Sequence, residues 1–89
     1  METFVICITD YRDQDLTQWN QNFWYVNFTL SVCKKGTRLY QETFTEKDVT
    51  LYVPIRKSIR DAIFSYAKEK IREYFSLQSN ANINYEFYF

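Results

Sequence analysis

The sequence predicts an α+β domain: an antiparallel β-sheet, built as a four-stranded meander, with one long amphipathic helix packed on one face, in the order β-β-β-β-α-β. Three observations predict it. Pro54–Ser76 is the only long stretch whose apolar residues recur at helical spacing. Phe23–Cys33 sets Trp24, Val26, Phe28, Leu30 and Val32 on one face, with polar side chains on the other from Asn27 to Ser31. Shorter alternating runs lie on either side of it, separated by polar, turn-forming clusters.

The elements follow in order. Thr3–Thr9 sets Phe4, Ile6 and Ile8 on one face and Val5 and Cys7 on the other, as a first strand does. Asp10–Asn22 is polar and interrupted, so it reads as a long loop with one helical turn near Leu16–Trp19. In the second strand, Trp24, Val26, Phe28, Leu30 and Val32 share one face. Lys34-Lys35-Gly36-Thr37 then forms a hairpin turn in which Gly36 is free to take positive φ. Arg38–Thr45 makes a third strand, Glu46-Lys47-Asp48 a second turn, and Val49–Val53 a fourth strand.

The helix comes next. Ile59, Ile63, Ala67, Ile71 and Tyr74 fall on one stripe, opposite Ser58, Asp61, Ser65, Lys68, Glu69 and Arg72. Ser58 and Asp61 resemble a capping box and allow a helix start near Ser58, while Pro54, tolerated in a first turn, allows one a turn earlier. No Gly closes the far end, where Ser79-Asn80-Ala81-Asn82 supplies the break. Ile83–Phe89 alternates again and forms a fifth strand. Its pairing is open: antiparallel to the first strand, parallel to the fourth through a crossover, or with a second copy of the chain.

Composition bounds the function. The chain has 89 residues, read as a single domain over 1–89, with one Gly, one Pro, no His and two Cys. One Gly excludes a glycine-rich phosphate loop. Absent His removes the usual general base and the usual metal ligand. Cys7 and Cys33 stand alone in separate runs, without CxxC spacing. Both read as structural thiols, too far apart for a disulfide because Cys7 is expected opposite residues near Tyr25. No cofactor, metal site or catalytic group is expected, and the chain reads as no enzyme. The N-terminus lacks a basic region followed by an apolar core, and no apolar run reaches membrane length. A cytoplasmic protein with reduced thiols is therefore expected. Asn27-Phe28-Thr29 matches a glycosylation acceptor but lies mid-strand, so no glycan is expected there.

Net charge is zero, yet ten of the eleven basic side chains lie after residue 33. An up-and-down meander places Lys34, Lys35 and Arg38 at the same end as Arg56, Lys57 and Arg60, giving one basic end. Asp10, Asp13 and Asp15, with Glu46 and Asp48, then form an acidic end.

Aromatic residues make up 20% of the chain, more than the core needs. Phe4, Trp24, Phe28, Tyr74 and Phe87 are assigned to the core. Phe23, Tyr25, Tyr40 and Tyr52 fall on the face away from the helix, and Trp19 is a candidate anchor on the long loop. These features predict a small non-catalytic protein-binding module acting as an inhibitor, adaptor or accessory subunit. Compact inhibitors of phages and mobile elements share the profile. The partner is expected to be another protein, with a homodimer as the structural alternative. A nucleic-acid-binding module using the basic end is the second reading, and no membrane is expected.

Overall fold

The computed structural model describes residues 2–36, 40–78 and 82–89. Among the described residues, four strands and one helix follow in the order β1 (Glu2–Asp15), β2 (Phe23–Lys35), β3 (Tyr40–Pro54), α1 (Ile59–Tyr74) and β4 (Ile83–Tyr88), with a 3-10 turn at Thr17–Trp19. They form an α+β fold with one mixed sheet in the order β3-β2-β1-β4. β1 pairs antiparallel with β2, and β2 with β3, whereas β4 lies parallel to β1. Among the described residues, no helix is long and apolar enough to cross a membrane.

The expected fourfold antiparallel meander is corrected at one place. Glu46-Lys47-Asp48 does not turn the chain; it lies inside β3. Phe28 faces Val49 and Leu30 faces Glu46, so Lys47 and Asp48 together oppose Thr29. This is a β-bulge, and Asp48 takes φ 58° within it. Losing that turn removes one chain reversal. The helix therefore starts at the opposite end of the sheet from the one expected, and the last strand runs the other way. It joins β1 as one alternative foresaw, but in parallel.

A second bulge corrects the loop reading of Asp10–Asn22. β1 runs on to Asp15, with Asp10 and Tyr11 together facing Phe28 between the Thr9–Thr29 and Arg12–Asn27 pairs. Asp10 takes φ 52°. Asp, with its short polar side chain, is among the few residue types that visit this left-handed region. Each bulge inserts one residue and so exchanges the faces of everything beyond it. Phe4, Ile6 and Ile8 face the helix before the first bulge, Tyr11 after it; Phe44 does before the second, Val49 and Val53 after it.

The helix stripe is largely as read. Ile63, Ala67 and Ile71 are fully buried against the sheet, each large side chain contributing roughly 1.5–3 kcal/mol of apolar burial. Tyr74 departs from it: the side chain is exposed and stacks on Phe44 at 4.5 Å, while Phe75 reaches in to Phe4 at 4.8 Å. Ser58 caps the N-terminus by accepting a hydrogen bond from the Asp61 amide at 3.2 Å. At the C-terminus Ser76 takes φ 52° and the Leu77 amide bonds back to the Arg72 carbonyl, a Schellman-type ending without glycine. The helix thus stops before the predicted break, of which residues 79–81 lie outside those described.

Candidate functional site

The helix covers one face of the sheet. On the other, direct cross-strand pairs place Phe23 against Pro54 and Tyr25 against Tyr52. The Tyr25 and Tyr52 rings meet edge-on, 5.9 Å between centroids. Tyr52 is 62% exposed and Phe23 38%. The same end of the sheet holds the connection from β1 to β2, where Trp19 is 56% exposed at the close of the 3-10 turn. The Ile55 amide bonds to the Asn22 carbonyl at 3.2 Å and ties the end of β3 to that connection. Beside this bond lies a shallow cleft of about 240 Å³ lined by Asn22, Pro54, Ile55 and Arg56. Of the seven large apolar side chains exposed among the described residues, four (Trp19, Phe23, Tyr52 and Ile55) belong to this end. Tyr40 begins β3, but its side chain lies outside the described residues.

Next to the aromatic pair sits a buried amide that the sequence reading did not pick out. Asn27 is 3% exposed although it is on the uncovered face. Its Oδ1 accepts from Arg12 Nη2 at 2.9 Å. Its Nδ2 donates to Asp48 Oδ1 at 2.7 Å and lies 3.2 Å from both the Val49 carbonyl and Thr50 Oγ1. The cation on one side and the carboxylate on the other fix which way the amide points. Arg12 follows the bulge in β1, and Asp48 lies in the bulge in β3. Asn27 therefore clips both irregular strands to regular β2. The amide that matches a glycosylation acceptor is spent on this network. A signal existed for the bulges: the apolar alternation changes phase near an Asp in both strands.

The charged ends are corrected together. Lys35 pairs with Tyr40 at one end of the sheet, whereas Pro54, just before Arg56 and Lys57, pairs with Phe23 at the other. The expected basic end therefore does not form. Lys34 is ion-paired with Glu2 at 3.0 Å and Lys35 with Glu86 at 3.3 Å. Arg60 lies over the Phe87 ring at 5.0 Å, and Arg38 is outside the described residues. The acidic end is dispersed as well. Asp10 accepts from Thr29 mid-sheet, Asp13 accepts from the Tyr11 hydroxyl at 2.7 Å, and Glu46 accepts from Tyr66 beneath the helix. Asp15 sits at the aromatic end, where the Thr17 amide holds its carboxyl below the usual range.

Both cysteines are free thiols on the uncovered face. Their placement corrects the expectation: Cys7 lies opposite Ser31 and Cys33 opposite Val5, so the two are diagonal neighbours rather than remote.

No protein-family model, curated protein or solved structure matches this chain.

Proposed function

We propose that this chain is a small non-catalytic protein-binding module, acting as an inhibitor, adaptor or accessory subunit, that docks through the aromatic end of its uncovered sheet face. One observation carries the reading: the Tyr25 and Tyr52 rings meet on the uncovered face with Phe23 and Pro54 paired beside them, and Trp19 and Ile55 are exposed at the same end. Aromatic side chains carry large contact areas at small entropic cost and dominate binding hot spots. The β-strands beneath hold the patch in place, so little ordering is needed on docking. A stacking platform for single-stranded nucleic acid needs cations on the same face. Here Arg12, on that face, is tied to Asn27.

The test is affinity capture from host lysate, split into nuclease-treated and untreated halves. The reading expects a protein partner that survives nuclease, is lost with Tyr52→Ala and is kept with Tyr88→Ala. Tyr52 and Tyr88 are similarly exposed, at 62% and 56%, so both variants should fold. A partner set that disappears with nuclease contradicts it.

A further inference from the structure

The two outer strands of the sheet are finished differently. β3 carries Glu46, Lys47 and Asp48 and the bulge that bends its line, devices that discourage another strand from pairing with an edge. β4, Ile83–Tyr88, is INYEFY: six residues with no Pro and no register shift. Its one charge, Glu86, is already engaged by Lys35 at 3.3 Å.

The direction of its main-chain groups follows from the register. Glu2 pairs with Ile83, and the Glu2 amide bonds to the Asn82 carbonyl. In a parallel ladder this directs the amide and carbonyl groups of Asn84, Glu86 and Tyr88 toward β1. Those of Ile83, Tyr85 and Phe87 point out of the sheet.

We propose that β4 is a dimerisation edge: a second copy of this chain adds its own β4 antiparallel to the first, across a two-fold axis through Tyr85. The strand is complementary to itself in that register. Ile83 of one copy faces Phe87 of the other, Tyr85 faces Tyr85, and the outward main-chain groups of all three form paired hydrogen bonds. On the uncovered face, Asn84 of one copy lies opposite Glu86 of the other, an amide against a carboxylate. Moving the axis to Glu86 sets two carboxylates directly opposite, which is unfavourable. Moving it to Phe87 shortens the paired stretch. An axis perpendicular to the sheet keeps both helices on one side. It therefore joins two aromatic clusters, each built from Phe64 stacked on Phe87 at 4.9 Å with Tyr85 edge-on at 5.8 Å and with Arg60 and Lys68 over the rings, into one aromatic layer. The docking patch lies on β2 and β3, so the dimer leaves it open.

Sedimentation equilibrium of the full chain tests this, with circular dichroism confirming the fold. The wild type should show a concentration-dependent dimer. Asn84 is exposed, so substituting it leaves the monomer intact. Asn84→Glu creates two like-charge contacts per dimer and should raise the dissociation constant roughly tenfold. Asn84→Lys should keep or tighten the dimer. Asn84→Glu combined with Glu86→Gln should restore it, because each carboxylate again faces an amide. A chain that stays monomeric up to its solubility limit overturns the proposal, as does a dimer indifferent to Asn84→Glu.

Discussion

Replacing Asn27 with Ala is the sharpest test of how this sheet holds its register. The substitution removes four polar contacts at a site only 3% exposed. Two of them involve charged partners, Arg12 and Asp48, and hydrogen bonds to charged groups contribute about 1.5–3 kcal/mol against about 1 kcal/mol for neutral ones. Arg12 and Asp48 are themselves exposed and regain water when the amide goes, so the net loss should be about 2–4 kcal/mol. Total stability for 89 residues is about 4–13 kcal/mol, so this one side chain carries a large share. Urea denaturation reads it. With an m-value of about 1.5 kcal/mol per molar, the midpoint should fall by about 2 M. Asn27→Asp should cost more than Ala at neutral pH, because it sets a second carboxylate beside Asp48, and should recover as pH falls. A midpoint that moves by less than about 0.3 M would refute the claim that Asn27 clips the two bulges together.

Two further predictions concern the bulges and the tyrosines. Asp10 holds φ 52°, so Asp10→Val should cost at least about 1–2 kcal/mol and Asp10→Gly little, both read from denaturation midpoints; equal costs would mean the left-handed conformation is not required. Burial, then the Glu46 carboxylate, raises the Tyr66 phenol, and burial with Asp13 pushes Tyr11 up to about 12. Both folded values lie above the ordinary value near 10, so this stability is fully present below pH ~10 and is lost as pH rises through the folded values. Denaturation midpoints should therefore fall above pH ~10, and Tyr66→Phe should blunt the fall; an unchanged slope contradicts the assignment.

Much of the fold was legible because it rests on uninterrupted periodicity. Phe23–Cys33 alternates without a break and became the regular centre of the sheet. The Ile63, Ala67 and Ile71 spacing and the Ser58 cap gave the helix its buried face and its start. The errors trace to Asp10 and Glu46-Lys47-Asp48, where polar residues that tolerate positive φ serve a turn and a bulge equally well. Local chemistry does not separate the two, and neither does the phase of the flanking apolar residues: Phe44 and Val49 have opposite parity and both face the helix, which one inserted residue in a continuous strand and a two-residue hairpin satisfy alike. That single misreading reversed the last strand and scattered the predicted basic and acidic ends. Phe23, Tyr25 and Tyr52 keep the expected face, because they sit in segments whose alternation is intact, whereas Tyr40 begins β3 at the other end of the sheet. Asn27 was hidden for another reason. An Asn on an outward face looks exposed in sequence, and only the two bulges bring Arg12 and Asp48 over it.

The measurement closest to the central claim is a calorimetric titration of the captured partner with wild-type chain and with the Tyr25→Ala/Tyr52→Ala double variant, after denaturation has shown that the variant folds. Two central aromatic anchors carry at least about 2 kcal/mol between them, so affinity should fall by at least roughly 30-fold. An unchanged affinity in a folded double variant would place the docking surface elsewhere on the molecule.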